Sequence, residues 1–386
     1  MKKYLSQRLC PLCGDRHGWL IRPLRYALFD DLGFSGNSPL ISCSSCGFVF
    51  NDLSEGSSVL AAYYSGHDHY LVSTTAGSGG STPAERTRYD RLLQRLDEWL
   101  EPTQTILDVG CGKAGFLLHL RECGYSSLLG LEASTACRNV VANETGLSVV
   151  ERIEQLPKTP SVVVISHVLE HLYDPLGFLR ELVLSSTSDA VFYLEMPNSS
   201  SLPDAEVPWS WLYFEHINHF DRPHLLAMAR LAGLSPIMDG TWSFQPGEGN
   251  KTDCLYVLCR KGTSRVDEIR DIQLAVCLDN SLSDQPMPET KIKLILSSRH
   301  DLVLWGLSQY AMLILGMHPE ITDRLEGILD ASPAKIGRRI QNIVVQNSMN
   351  ISNVRQKLIL LPKSNYTENM INQLASLNYK SQYLII

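Results

Sequence analysis

Three groups of residues in this 386-residue chain have the types and spacing to do chemistry. In the stretch WLYFEHINHF (Trp211–Phe220), Glu215, His216 and His219 stand among large aromatic side chains. Histidine changes charge near neutral pH, so an imidazole flanked by a carboxylate and a phenol can accept a proton from an acidic group. Glu215 can orient a substrate or fix the imidazole tautomer, and Tyr213 can hydrogen-bond a developing oxyanion. Other readings of the stretch are ordinary aromatic packing with His219 towards solvent, or a metal set of His216, His219 and His224. The spacing of that set matches no familiar ligand pattern.

The second group is thiol chemistry. Cys10 and Cys13 in CPLCG, and Cys43 and Cys46 in CSSCG, make two Cys-x-x-Cys pairs, each followed by a glycine, Gly14 and Gly47. Four thiolates are the tetrahedral set that zinc prefers, and a closed set with no position for water predicts structural Zn2+. A redox pair needs only one such motif at a helix start. The other cysteines, Cys111, Cys123, Cys137, Cys254, Cys259 and Cys277, lie in apolar or strand-like segments and are expected to be buried thiols of a reducing compartment.

The third group is a ligand cradle. TILDVGCGKAGFLLHL (Thr105–Leu120) reads as a buried strand ending at Asp108, a turn with Gly110, Gly112 and Gly115, and a helix. Such a turn lets backbone approach a ligand, and the helix N-terminus favours a carboxylate. Glu132, at the end of the next strand, can accept hydrogen bonds from both hydroxyls of a ribose. A glycine turn of this kind also serves dinucleotide-binding folds, so a dehydrogenase is an alternative. His167 and His171 in VVVISHVLEHLYDP (Val162–Pro175) are candidates for this cleft, His167 on the cofactor side and His171 on the catalytic side. Both admit a blander reading as capping or core residues.

The elements that must position these residues follow from periodicity. TILDVG, SSLLGLE, SVVVIS, AVFYLEMP and CLYVLCR are strand-like, and AERTRYDRLLQRLDEWL and GFLRELVLSS have helical leucine spacing. Their alternation predicts an α/β fold with a parallel sheet between helices. Ala76–Glu85 is rich in Gly and Ser and reads as a linker or mobile loop; Cys277–Lys291, polar with two prolines, marks a second boundary. Beyond it HDLVLWG, RLEGILDA, NIVVQ, QKLILLP and SQYLII predict a small second α/β unit. The expected domains are a four-cysteine module over 1–75, a Rossmann-like domain over 80–262 and a C-terminal α/β domain over 285–386. Hydrophobic content of 44% and charged content of 19% are ordinary for a globular protein, and a net charge of −7 argues against a general nucleic-acid binder. There is neither a run of 18 apolar residues nor a signal-like leader, so no membrane association and a cytoplasmic location are expected.

The wording D-V-G-C-G-x-x-x-G from Asp108 and the strand end VLEHLYDP resemble class I S-adenosylmethionine-dependent methyltransferases. With the four-cysteine module, LEMPNSS (Glu195, Pro197, Asn198), YFEHINHF (Tyr213, Glu215, His216, Phe220) and ILDASPAKIGRRI (Asp330, Pro333, Lys335, Gly337), nearly the whole chain resembles the sugar C-methyltransferases. The resemblance implies methyl transfer from S-adenosylmethionine to carbon C3 of a nucleotide-linked 4-keto-deoxysugar, with His216 as general base and Tyr213, Glu215 and His171 around it. It also implies a substrate-reaching tyrosine among Tyr63, Tyr64 and Tyr70. The chain departs from the family at His219, where tyrosine is common, and in the poorer glycine turn around Gly306. The rival functions are an O- or N-methyltransferase on a sugar or other small metabolite, and a non-catalytic S-adenosylmethionine-binding protein.

Overall fold

Val162–Ser166 is an apolar run whose first four side chains are all buried, the pattern of a strand covered on both faces. The computed structural model describes residues 1–66, 79–205, 207–247, 250–263, 265, 269–353, 357–364, 366–376 and 382–386. Among the described residues the strands form three sheets. Strands β1 (Lys2–Leu5), β2 (His17–Arg22), β3 (Leu40–Cys43) and β4 (Val49–Asn51) run antiparallel in the first. The second holds β5 (Ile106–Val109), β6 (Leu128–Leu131), β7 (Ser148–Val150), β8 (Val162–Ser166) and β9 (Val191–Pro197), all parallel. The short strand β10 (Asn218–His219) returns to the first sheet, where Asn218 pairs with Phe50 and His219 with Val49.

The central sheet is completed by β11 (Leu234–Gly247) and β12 (Asn250–Lys261), an antiparallel hairpin whose second strand pairs antiparallel with β9. Its spatial order is β11-β12-β9-β8-β5-β6-β7, so the chain reverses direction of winding beside β5. In such sheets the crevice at the carboxyl ends of the strands, at that switch point, is where ligands sit. The third sheet has the order β15-β16-β14-β13-β17-β18, from β13 (Leu302–Trp305), β14 (Leu325–Asp330), β15 (Arg339–Ile340), β16 (Ile343–Asn347), β17 (Leu358–Leu361) and β18 (Tyr383–Ile385). The fold is thus α/β and Rossmann-like, as the alternation of elements predicts. No described helix is long and apolar enough to cross a membrane.

Helix α1 (Ser57–Gly66) leaves the first sheet; α2 (Pro83–Leu96) and α3 (Gly115–Glu122) flank β5, and α4 (Thr135–Thr145), α5 (Pro175–Leu184) and α6 (Arg222–Leu231) follow. The polar stretch from Cys277, expected as a boundary, is largely helical. It belongs to α7 (Gln273–Asp284) and α8 (Glu289–Ser297), and its prolines fall in the turn between them. Leu274, Ala275, Leu278 and Leu282 recur at helical spacing and are buried, while Asp279 pairs with Arg22 of β2. The boundary near 80 also differs from a free loop. The Gly79 carbonyl accepts from the Gly115 amide at 2.8 Å, and Thr82 caps α2; Ala76–Ser78 lie outside the described residues. Cys123 is exposed and Cys277 half-buried, against the expectation of burial for the scattered thiols.

The third unit packs on the first through α9 (Gln309–Met317). Gly316 lies so close to the loop after β2 that a Cβ there would stand 2.3 Å from the Arg25 carbonyl oxygen and 2.5 Å from Tyr26 backbone. Alanine favours a helix over glycine by about 1 kcal/mol, but the backbone contact cannot yield as a flexible side chain does. Gly316→Ala is therefore expected to lower the thermal midpoint by several degrees, and a melting curve with an equal or higher midpoint contradicts this packing.

Candidate active site

After β5 the chain turns through Gly110 and Gly112, at φ 68° and 53°, and enters α3 behind Ala114, itself left-handed at φ 60°. A Cβ on Gly110 would meet Val168 at 2.6 Å, and one on Gly115 would strike the Gly80 and Gly79 carbonyls at 2.2 and 2.5 Å. Close backbone approach thus requires glycine at Gly115, while at Gly110 the left-handed φ and the Val168 side chain favour it. Glu132, at the end of β6, accepts from the Gly112 amide at 2.8 Å and the Ser134 amide at 2.7 Å. Asp108 is buried, and burial pushes its carboxyl pKa up to about 7, with Arg88 working in the opposite direction and Glu132 adding to the rise. Turn, acidic strand end and acidic residue on the neighbouring strand form a cradle suited to a nucleoside.

Beyond β8, His167 adopts a left-handed conformation at φ 57°, uncommon for a residue with a side chain. Its amide donates to the Glu195 carbonyl at 2.8 Å, and its ring lies 3.3 Å from Glu170 and 3.5 Å from the Cys254 sulfur. Glu195 is a fully buried hub: it accepts from Tyr193 at 2.6 Å, the Trp242 indole at 2.7 Å and Ser166 at 3.0 Å, and faces Arg88 at 3.7 Å. Burial opposes its charge, but Arg88, His167 and these donors hold its pKa below the usual carboxylate value. Its neighbour Asn198 accepts from the Ser200 amide and starts the short turn Ser199–Asp204. The E-x-P-N residues thus shape the wall of the crevice.

The Glu-His segment closes that crevice. His216 packs edge-on against His171 with ring centroids 4.8 Å apart and against Tyr213 at 4.9 Å. Helix α1 brings two phenols: Tyr63 donates to the Glu215 carboxylate, and Tyr64 lies 3.0 Å from His171 Nδ1. Phe34 and Phe214 pack edge-on around Tyr63. Burial first, then the neighbouring His171, lowers the pKa of His216 well below 6.5, while burial and then Glu215 raise that of Tyr213. At neutral pH the cleft therefore presents a neutral imidazole beside a protonated phenol.

Residues 84–237 match the family model described as a methyltransferase domain. The central unit is a class I S-adenosylmethionine-dependent methyltransferase domain. No curated protein matches the chain. Solved structures similar to it include an S-adenosylmethionine-dependent methyltransferase from Methanosarcina mazei, with 16% identity, TM-score 0.38, and coverage of 44% of this chain and 98% of that one. The N-methyltransferase NodS from Bradyrhizobium japonicum, in complex with S-adenosyl-L-homocysteine, has 14% identity, TM-score 0.38, and coverage of 50% and 95%. A 1,6-didemethyltoxoflavin-N1-methyltransferase from Burkholderia thailandensis has 14% identity, TM-score 0.36, and coverage of 47% and 79%.

In this methyltransferase the structure gathers Tyr213, Glu215, His216 and His171 in one cleft, and Asp108, Gly110, Gly112, Gly115 and Glu132 around the glycine turn. His167 lies between the two groups. Of the three candidate tyrosines, Tyr63 and Tyr64 both reach the cleft, and Tyr70 lies outside the described residues. The histidines proposed as an alternative metal set do not converge. His219 is buried with its ring on Asn51 at 2.8 Å, and His224 bonds Asp221 and the Cys46 carbonyl. The four sulfurs of Cys10, Cys13, Cys43 and Cys46 all lie within 4.8 Å of one another, with Cys10–Cys46 at 3.6 Å and Cys13–Cys43 at 3.4 Å. A tetrahedral ion with bonds of about 2.3 Å needs sulfurs roughly 3.8 Å apart, so the cluster fits zinc.

Glu170 and Arg8 join the site without having been singled out in the sequence. Glu170 stands beside His171 in the motif already singled out, so the signal was there; nothing in the spacing of Arg8 points to its role. The departure at His219 concerns the join of β10 to β4 rather than the reacting groups. Burial, with a smaller contribution from Arg8, lowers its pKa from 6.5 to about 4. Between those values the unfolded chain binds the proton that the native state refuses, so stability falls as pH falls through this window, by on the order of 3 kcal/mol for this residue. His219→Gln is expected to flatten the decline of the thermal midpoint between pH 6.5 and 4; an unchanged slope contradicts it.

Proposed function

We propose that the protein is a sugar C-methyltransferase that methylates the carbon, C3, next to the ketone of a nucleotide-linked 4-keto-deoxysugar. The observation that carries this reading is the meeting of Tyr63 and Tyr64 from the first unit with His171, Tyr213, Glu215 and His216 of the second in one aromatic-walled cleft. Methylating carbon requires a base for the proton beside the ketone and a donor for the enolate oxygen. His216, neutral at pH 7, takes the proton on its ring nitrogen. Tyr213, whose proton is held by burial, donates to the oxygen as negative charge develops. Glu215, fixed by Tyr63, orients the sugar. S-adenosylmethionine, when bound, supplies an electrophilic methyl group; Asp108, Gly110, Gly112, Gly115 and Glu132 are the residues assigned to hold it, with His167 at the edge. Alignment with the carbon is then a matter of proximity.

In the same reading Zn2+ is structural, held by Cys10, Cys13, Cys43 and Cys46 in a module spanning 1–75, ahead of the methyltransferase domain over 80–262 and an α/β domain over 285–386. The module's sheet also borrows β10 from the second span. The zinc turn rests on the methyltransferase domain through His224, whose ring meets the Cys46 carbonyl at 3.1 Å. Cys10→Ser is expected to release one equivalent of zinc by elemental analysis and to reduce solubility; retained stoichiometric zinc refutes the four-thiolate site.

Deuterium exchange tests the chemistry. A nucleotide-linked 4-keto-deoxysugar incubated with the enzyme in deuterated water is expected to lose its C3 proton signal, and His216→Asn to slow that loss about 100-fold or more. A turnover substrate that shows no exchange and gains its methyl on oxygen or nitrogen refutes carbon methylation. The pH dependence has a definite sign: a base with a lowered pKa is lost only as pH falls through that value. The acid limb of kcat/KM should therefore lie below pH 6.5, and a limb above it excludes His216 as the base.

A further inference from the structure

The cleft holds a charge that the proposed reaction has not used. Glu170, on the short turn Leu169–His171, is 1% exposed, and neither carboxylate oxygen has a hydrogen-bond partner among the described residues. A buried carboxylate in that condition is costly unless something nearby carries positive charge. The nearest donors are ring nitrogens, His167 Nδ1 at 3.3 Å but outside hydrogen-bond alignment, and His171 Nε2 at 3.8 Å, beyond hydrogen-bond length but within ion-pair reach. His216 belongs to the same cluster: ligand atoms of Glu170, His171 and His216 all lie within 4.8 Å of one another.

The other nitrogen of His171 decides which ring is charged. His171 Nδ1 lies 3.0 Å from the Glu215 carbonyl oxygen, which only accepts, so Nδ1 carries hydrogen. The hydroxyl of Tyr64, also at 3.0 Å, can share that hydrogen as a second acceptor. Nε2 is then left facing the carboxylate. A neutral ring would aim a lone pair at a negative charge, whereas a protonated ring aims an N–H at it. Among the described residues His216 makes no ion pair within 4 Å of a carboxylate; it stands farther from Glu170 than His171 Nε2 does and is flanked by Tyr213 and His171.

We infer that Glu170 is a positioning residue that keeps His171 as imidazolium and thereby leaves His216 as the neutral ring of the pair. Two imidazoles in one cleft are driven into different roles by one buried carboxylate, the division expected where environments separate like groups. The reading rests on the carbon-methylation proposal for its purpose: the neutral ring takes the proton, and the charged one beside it stabilises the enolate as it forms. The groups that bear on the pair come from several elements. They are Tyr63 and Tyr64 on α1, His167 after β8, Cys254 on β12, and Tyr213, Glu215 and His219 on the returning segment. Among them Glu215 is the one carboxylate besides Glu170, and it is occupied by Tyr63. The ionised state of Glu170 accords with this. Burial works against its charge, yet His167, His171 and His216 together lower its pKa to about 2.

The test uses the full zinc-loaded chain without substrate, so it stands or falls separately from the carbon-methylation proposal. Ring nitrogen NMR of histidine-labelled protein at pH 7 should show both nitrogens of His171 protonated and His216 neutral, with assignments from His171→Gln and His216→Gln. Glu170→Gln should convert His171 to a neutral ring, and Glu170→Asp should retain the imidazolium. In turnover, Glu170→Gln should lower kcat tenfold or more with S-adenosylhomocysteine affinity unchanged, and move the alkaline limb of the pH profile to lower pH. A neutral His171 in the wild type overturns the inference without need of any variant, so misfolding of Glu170→Gln leaves it testable. An unchanged His171 in a folded Glu170→Gln overturns it, as does a second bound metal equivalent lost in that variant. If His171 is charged as expected but no C3 exchange occurs, the protonation inference holds and the carbon-methylation reading fails.

Discussion

One buried guanidinium holds the reactive cleft together. Arg8, on the loop after β1, is 1% exposed, and its nitrogens donate to the carbonyls of Leu172 at 3.0 Å, Tyr173 at 2.6 Å, Asn51 at 3.2 Å and Ile217 at 3.1 Å, and to the Asn218 side chain at 2.8 Å. Those acceptors come from the first sheet, the turn after His171 and the returning Glu-His segment. Burial lowers the pKa of Arg8 to about 10, which still leaves it charged at neutral pH. Its planar fork satisfies backbone groups that would otherwise be orphaned where three segments meet. Asn218 extends the knot, donating to the Leu169 and Leu172 carbonyls at 2.7 Å each. His171 and His216 face each other because their flanking backbones share these partners.

The same crevice shows how one residue type acquires different properties from its partners. Asp108, Glu170 and Glu195 are all buried near the carboxyl ends of the parallel strands. Asp108 has only a distant cation, and desolvation prevails, taking its pKa up to about 7. Glu195 is ringed by donors and Arg88, and Glu170 by imidazoles, so both stay ionised despite equal or deeper burial. The parallel strands deliver acids to one edge, and the surroundings of each decide its charge.

Much of this was legible in the chain because it rests on local pattern. The branched runs of β5, β8 and β9, the glycine turn and both Cys-x-x-Cys pairs stand where spacing predicts them. The antiparallel hairpin β11–β12 was read only in its second strand, since LSPIMDGTWSFQPG mixes proline, glycine and polar residues that weaken any alternation. The helices α7 and α8 were hidden by a polar exposed face and two prolines that fall in the turn between them. Arg8 depends on segments far apart in sequence meeting in space, and one sequence carries no signal of such a meeting. The place of His219 is open in the sequence for the same reason, because the strand it joins lies in another unit.

The third unit bears on the cleft wall through the first and also directly, where α9 packs on Pro208–Trp211, and that arrangement has a mechanical consequence. The segment after β2 carries Ala27, whose amide donates to the Met312 carbonyl of α9 at 2.8 Å, and Tyr26, whose hydroxyl donates to the Leu212 carbonyl at 2.8 Å. Tyr26 also packs on Phe214, which contacts Tyr63. Asp30 accepts from the amides of Gln341 and Asn342, and Arg338 lies over the Phe29 ring. A single short segment therefore bears on α9, on the loop after β15 and on the residue before Tyr213. Displacing the third unit must strain Tyr26 against Leu212, and the two residues that follow Leu212 are a phenol of the cleft and a ring of its wall. Packing of this density transmits displacement rather than absorbing it, so the C-terminal unit is coupled to the geometry around His216, although among the described residues none of its side chains pairs with His216.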